Sequence, residues 1–172
     1  MTVLLGSLDD RDDWPDVGQC PIEGTLALLG TKSSMLLLRE ASYGTTRFDD
    51  FVRRVGLAKT LTSQRLSELV SAGLLTKRSY RQPGERRRQE YVLTAAGTAF
   101  SLVMWSMFEW GRTHLDQDDP SQLQLIHLGC GARVAVQIRC ARDHNVPADE
   151  LGLRVSGERT RLPHRPRRPR SS

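Results

Sequence analysis

Apolar residues recur at i, i+3, i+4 and i+7 between Arg47 and Val55, where Phe48, Phe51, Val52 and Val55 form one stripe. That spacing predicts a short helix. Gly56 ends it, because glycine enters the left-handed turn without steric cost. Leu57 and Ala58 complete a turn, and a second helix is predicted from about Lys59 to Ala72, stopped by Gly73. Projected at roughly 100° per residue, Ala58, Leu61, Leu66 and Leu69 gather on a core face. Thr60, Ser63, Gln64 and Ser67 fall opposite, with Lys59 at the exposed N-terminus and Arg65 on a flank. Leu74–Tyr80 then reads as a strand, Arg81–Glu85 as a turn carrying the Pro83-Gly84 signal, and Arg87–Leu93 as the return strand.

Upstream, Pro21–Leu29 reads as a helix with Cys20 at the N-cap, Pro21 at N1 and Glu23 at N3. Proline suits N1 because its missing N–H would have no partner there. Ser33–Ala41, centred on Met35-Leu36-Leu37-Leu38, is apolar almost all round and is expected to be buried. Downstream, Thr94 is a good N-cap for a long helix to about Leu115. That helix carries Phe100, Leu102, Val103, Met104, Trp105, Met107, Phe108 and Trp110. One small domain cannot cover so wide a stripe, so the expected partner for the excess is a second copy of the chain. Further on, Leu123–Leu128 and Arg133–Arg139 alternate enough for a hairpin around Gly129-Cys130-Gly131.

The expected fold class is therefore mainly α with a small β-hairpin wing (α+β): a winged helix-turn-helix, plus a short C-terminal β-hairpin extension. Four regions are expected. Residues 1–18 are an acidic, disordered N-terminus, and 19–115 the winged domain with its dimerisation helix. Residues 121–155 are the hairpin extension, and 156–172 a disordered Arg/Pro-rich tail.

Charge sharpens the picture at one place. The formal net charge is +5, but residues 154–172 hold seven Arg and one Glu, so the rest of the chain is −1. The high isoelectric point thus belongs mostly to the tail. From Lys59 to Arg88, by contrast, eight basic residues stand against Glu68 and Glu85 alone. Lys77, Arg78, Arg81, Arg86, Arg87 and Arg88 crowd the hairpin beside a helix face of hydroxyls and an amide. A solvated face would normally carry Glu and Lys, which are better helix formers than Ser or Thr. Hydroxyls and amides suit base edges and phosphate oxygens, and the cationic hairpin suits a phosphate-tracking wing. Double-stranded DNA is the expected partner. Lys59, Thr60, Ser63, Gln64, Arg65, Ser67, Arg86, Arg87 and Arg88 are the candidate contacts. The alternative is a winged-helix protein-interaction module without specific DNA binding.

The chain resembles the HxlR-type bacterial regulators, winged helix-turn-helix proteins related to the MarR group. The resemblance is carried by Cys20-Pro21-Ile22-Glu23, by Gly30-Thr31-Lys32 through Leu38-Arg39-Glu40, and by Arg47–Phe51. It continues through Leu61–Leu69 with Ala72-Gly73-Leu74, and Tyr91–Gly97. It implies a homodimeric transcription factor that binds inverted repeats near promoters, often its own or a neighbouring gene's; for this chain a repressor is expected. Ser33 stands where the family commonly has Trp, and Ala58-Lys59 where it commonly has Ser or Pro.

Three cysteines, an odd number, do not read as a disulfide framework. A thiol at a helix N-cap feels the positive end of the dipole, which favours the reactive thiolate, although Glu23 opposes this. Members of the family sense oxidants and electrophiles at the matching Cys-Pro, which makes Cys20 the redox-sensing candidate; the alternative is an inert thiol. Some members also carry a C-terminal Cys-Gly hairpin followed by Cys-x-x-Cys-Gly, resembling a zinc ribbon. Here Cys140–His144 has lost the second thiol and its glycine. Zinc on His127, Cys130, Cys140 and His144 is chemically possible, but the spacing is not a standard one. The expectation is a metal-free hairpin, and no cofactor.

Nothing points to catalysis. There is no phosphate-cradling Gly-rich loop, nucleophile elbow or His-Glu-x-x-His. No apolar run approaches a bilayer span, and Met1–Leu5 lacks a basic n-region. A cytoplasmic address is expected.

Overall fold

In the computed structural model the described residues are 2–16, 18, 20–81, 87–115 and 122–159. Their elements in chain order are β1 (Val3–Leu4), α1 (Pro21–Leu29), α2 (Lys32–Ser42), α3 (Phe48–Val55) and α4 (Lys59–Ser71), then β2 (Leu75–Tyr80), β3 (Arg88–Leu93), α5 (Ala95–His114) and β4 (Gly152–Leu153). They divide into two units, Pro21–Val136 on one side and Met1–Cys20 with Gln137–Ser172 on the other.

In the larger unit α2 lies at the centre, packed on α3, α4 and α5. Leu37 and Leu38 from α2, Phe51 from α3 and Leu66 from α4 are wholly buried, and Leu69, Leu74, Leu75, Tyr91 and Met104 close around them. Each such side chain contributes about 1.5–3 kcal/mol by leaving water. Phe51 meets Tyr91 edge to face at 6.2 Å. Thr31 caps α2 by accepting the Ser34 N–H, and Thr94 caps α5 by accepting that of Gly97.

The helix-turn-helix is closed by its glycines. Gly56 takes φ +74° and donates to the Val52 carbonyl. Gly73, at φ +71°, donates to Val70 while Leu74 donates to Leu69, the double bond of a Schellman stop. Gly97 serves a different purpose: a Cβ there would lie 2.1 Å from the Leu74 carbonyl oxygen. Only glycine lets the start of α5 sit against the joint between α4 and the hairpin.

Three features depart from the sequence expectation. The core face of α4 begins at Thr62, which is buried, not at Ala58, which is exposed, and Leu61 is half-buried. Ala58 is the N-cap, with an extended ψ of 143°, so a helical projection does not apply to it. Thr62 satisfies its hydroxyl on the Ala58 carbonyl at 3.1 Å.

The return strand expected at Arg133–Arg139 is divided. Ile126 bridges Arg133 around the Gly129-Cys130-Gly131 turn, whereas Arg139 pairs with Asn145 in a second hairpin. There Asp143, at φ +64°, makes the turn, a conformation Asp tolerates better than most residues.

Finally, the N-terminal residues expected to be disordered carry β1. It pairs in parallel with β4, and Leu8 behind it is buried. Ser7 donates through its N–H and hydroxyl to Glu158, so part of the expected tail is held as well. Apolar Val3-Leu4-Leu5 finds its partners at the other end of the chain. Residues 160–172 lie outside the described residues.

Candidate nucleic-acid interface

The inner side of α4 is fixed by Thr62, Leu66 and Leu69, which turns Lys59, Thr60, Ser63, Gln64 and Ser67 to solvent. The predicted outer face thus exists as one continuous polar strip. No side chain caps the helix at Ala58, so its first-turn N–H groups have no side-chain acceptor there. Arg65 is half-buried, and its Nη1 lies 2.6 Å from Glu68.

Glu68, on the next turn, also accepts from Gln64 Nε2 at 2.9 Å. One carboxylate therefore holds two of the candidate DNA contacts, and Arg65, followed by Gln64, keeps its pKa below the ordinary glutamate value. In the charge pattern of the sequence Glu68 stands only as an opposing charge. Its i+3 and i+4 spacing to Arg65 and Gln64 is the signal for the clamp.

In the hairpin β2 and β3 pair antiparallel from Leu75↔Leu93 to Tyr80↔Arg88. The inner end is anchored: Leu75 and Tyr91 are buried, and the Tyr91 N–H donates to the Thr46 carbonyl at 2.8 Å. Arg47 bridges Glu90, giving the wing a third edge that was not expected. Burial raises the Tyr91 pKa.

The outer end is held by side-chain pairs. Arg78 Nε reaches Glu90 at 2.7 Å, Gln89 donates to Ser79 at 2.9 Å, and Lys77 lies over the Tyr91 ring. Arg78 holds the Glu90 carboxyl below its usual range. Glu90 lies just past the predicted basic run and offsets one of its cations. Arg87 and Arg88 are exposed, while Arg86 lies outside the described residues.

All three cysteines are exposed and none is in a disulfide. Cys20 directly precedes α1. Cys130 Sγ lies 3.2 Å from His127 Nδ1 in the larger unit. Cys140 belongs to the other unit, as does His144, which accepts the Cys140 N–H on its carbonyl. The Arg142 and then the His144 backbone N–H hold the Cys140 thiol below its ordinary pKa. Among the described residues, no three of His, Cys, Asp and Glu gather as a metal would need. No described helix is long and apolar enough to cross a membrane.

A polar strip on α4, flanked by a cationic antiparallel hairpin, is the arrangement of a DNA-reading winged helix. Residues 28–119 match the family described as HxlR-like helix-turn-helix. The chain belongs to that family. It is 32% identical over 138 residues to the HTH-type transcriptional regulator Rv3095 of Mycobacterium tuberculosis, covering 80% of this chain and 83% of that one. Among solved structures, it is similar to the transcription factor PA1607 at a TM-score of 0.70 and 30% identity, over 83% of this chain and 98% of that one. The redox regulator HypR in its reduced form aligns at a TM-score of 0.51 and 28% identity, over 56% and 95%. The HxlR-like chain is thus a transcriptional regulator of the helix-turn-helix type, mainly α with a hairpin wing, and its family is not one of enzymes.

Proposed function

We propose that the chain is a sequence-specific DNA-binding repressor, a cytoplasmic homodimer on an inverted-repeat operator. The observation that carries this is the exposed strip of Thr60, Ser63, Gln64 and Ser67 on α4, beside a wing bearing Lys77, Arg87 and Arg88. Hydroxyls and an amide on a groove-sized helix match the donor and acceptor pattern of base edges. Lys59 and the uncapped N–H groups of α4 suit a phosphate. Arg65, Arg86, Arg87 and Arg88 would hold the flanking backbone. On binding, Gln64 and Arg65 exchange the Glu68 carboxylate for DNA. No cofactor enters this reading.

The dimer is supported by apolar surface the single chain leaves open: Ile22 and Leu26 on α1, and Val103, Met107 and Trp110 on α5. A second copy related by a two-fold axis covers such stripes and presents two α4 helices to half-sites about 34 Å apart. Footprinting on DNA from upstream of the chain's own gene tests this. Two protected half-sites with two chains bound support the proposal; one chain per site contradicts the dimer. No protection at any concentration favours the protein-interaction module instead.

Cys20 would tune this activity in response to oxidants or electrophiles, since it is exposed and adjoins α1, whose apolar face we assign to the dimer contact. Alkylating it in a chain carrying Cys130→Ser and Cys140→Ser should weaken operator binding. Unchanged affinity would remove Cys20 from the account.

A further inference from the structure

The wing leaves the core as a cantilever. Leu75 and Tyr91 bury its inner end, and the Tyr91 N–H donates to the Thr46 carbonyl. Beyond them the ladder continues through Arg78↔Glu90 and Ser79↔Gln89 to Tyr80↔Arg88, roughly 10 Å of paired strand. A two-stranded hairpin is marginally stable in water by itself. Tilting this stretch by about 20° around its anchored end moves its far pair by about 3.5 Å, the axial spacing of phosphates along one DNA strand. A wing that meets particular phosphates therefore needs a tie near its outer end.

Arg47 reaches this stretch twice. Its backbone is the N-cap of α3 and also bridges Glu90, so the residue that starts the first helix of the helix-turn-helix edges the hairpin as well. Residues directly opposite one another in a sheet share a face, which places Arg47, Glu90 and Arg78 in one row. Glu90 is already engaged: it accepts Arg78 Nε at 2.7 Å and the Thr46 side chain. The Arg47 guanidinium lies over the next side chain on that face, its carbon 5.2 Å from the centre of the Tyr80 ring. Tyr80 is half-buried and is the last residue of β2. The ring's quadrupole holds a cation over its face, and long and aromatic side chains can meet diagonally across strands. The contact ties the start of α3 to the far end of the ladder.

We infer that Arg47 is a positioning residue for the wing: through Tyr80 it fixes the angle of the hairpin against α3, and thereby which phosphates Arg87 and Arg88 meet. The inference rests on the DNA-reading function proposed above. It sets Arg47 apart from the cations assigned to phosphate, because its partner is a neutral ring whose removal changes no charge.

The test uses the full chain with Arg47→Gln, with Tyr80→Leu and with both. Hydrogen exchange is read first, without DNA. Each single variant should speed exchange of the hydrogen-bonded amides among residues 78–80 and 88–90 by about two- to fivefold, the factor an exposed cation–π contact supplies. Unchanged exchange at Leu66 and Leu69 checks that the core is intact. The double variant should be no faster than either single one, and Arg47→Lys, which keeps a cation for the ring, should match the unaltered chain. On operator DNA, hydroxyl-radical footprints of both single variants should lose the wing's protection and keep that of α4. Tyr80→Leu should weaken binding as much as Arg47→Gln. Unchanged exchange in either single variant overturns the inference. So does weaker binding by Arg47→Gln with Tyr80→Leu unaffected, which would make Arg47 an ordinary phosphate contact. No footprint from the unaltered chain would overturn the DNA-reading function, while exchange alone still decides the tie.

Discussion

The inner face of α4 is locked into the core by Thr62, Leu66 and Leu69, whereas the wing beyond Leu75 and Tyr91 is held by its strand ladder, by side-chain pairs and by the Arg47 bridge to Glu90. The first arrangement fixes where Ser63 and Gln64 stand, which a base-reading surface needs. The second leaves a cationic arm whose grip is electrostatic, which suits a backbone without sequence information. The difference assigns specificity to the helix and salt-dependent affinity to the wing.

The comparison breaks most severely where α4 is anchored. Leu66→Ala, at a wholly buried position, should cost about 3 kcal/mol of stability, read by urea denaturation, and should remove specific binding with it. Gly97→Ala strikes the joint between the two regions, since the added Cβ meets the Leu74 carbonyl. It should cost about 2 kcal/mol and reduce specific more than nonspecific affinity. Ser63→Ala separates the regions without unfolding either. Discrimination at one base position should fall by about 1 kcal/mol, seen in binding to a set of single-base operator variants, with the salt dependence unchanged.

Arg87→Ala should do the reverse, weakening every sequence alike and reducing the slope of log affinity against log salt by about one. The smallest effect is expected of Glu68→Gln, which removes the charge that holds Arg65 and should raise affinity for any DNA by roughly threefold. The Glu68 and Glu90 carboxyls both have lowered pKa values in the folded chain. Their pairs with Arg65 and Arg78 are therefore fully formed above the ordinary glutamate value of about 4.3. They are lost only as pH falls through the lowered values. Operator affinity measured from pH 8 to pH 6 should show no transition from either group.

Much of this division was legible in the sequence because it is local. The i, i+3, i+4 stripe of α3, the glycines at 56 and 73, the Pro21 start of α1 and the Thr94 cap all act within a few residues of the structure they set. The polar strip of α4 followed from the same periodicity. What escaped depends on contacts between distant positions or on end geometry. Ala58 sits at an N-cap, outside the helical repeat, so Thr62 took the buried place assigned to it. β1 and β4 pair across almost the whole chain, and Glu90 met Arg78 from beyond the basic run. The close approach that demands Gly97 exists only once α5 is folded against Leu74.

The most direct test of the division is affinity for DNA from the chain's own upstream region against scrambled DNA of equal length, at two salt concentrations. A chain ending at Arg159 suits it, since it keeps Glu158 on Ser7 and omits the arginines beyond. Both affinities should fall with salt while the native sequence stays favoured by roughly a thousandfold or more. Equal affinity for the two fragments would contradict it, because α4 would then read nothing that the wing does not already hold.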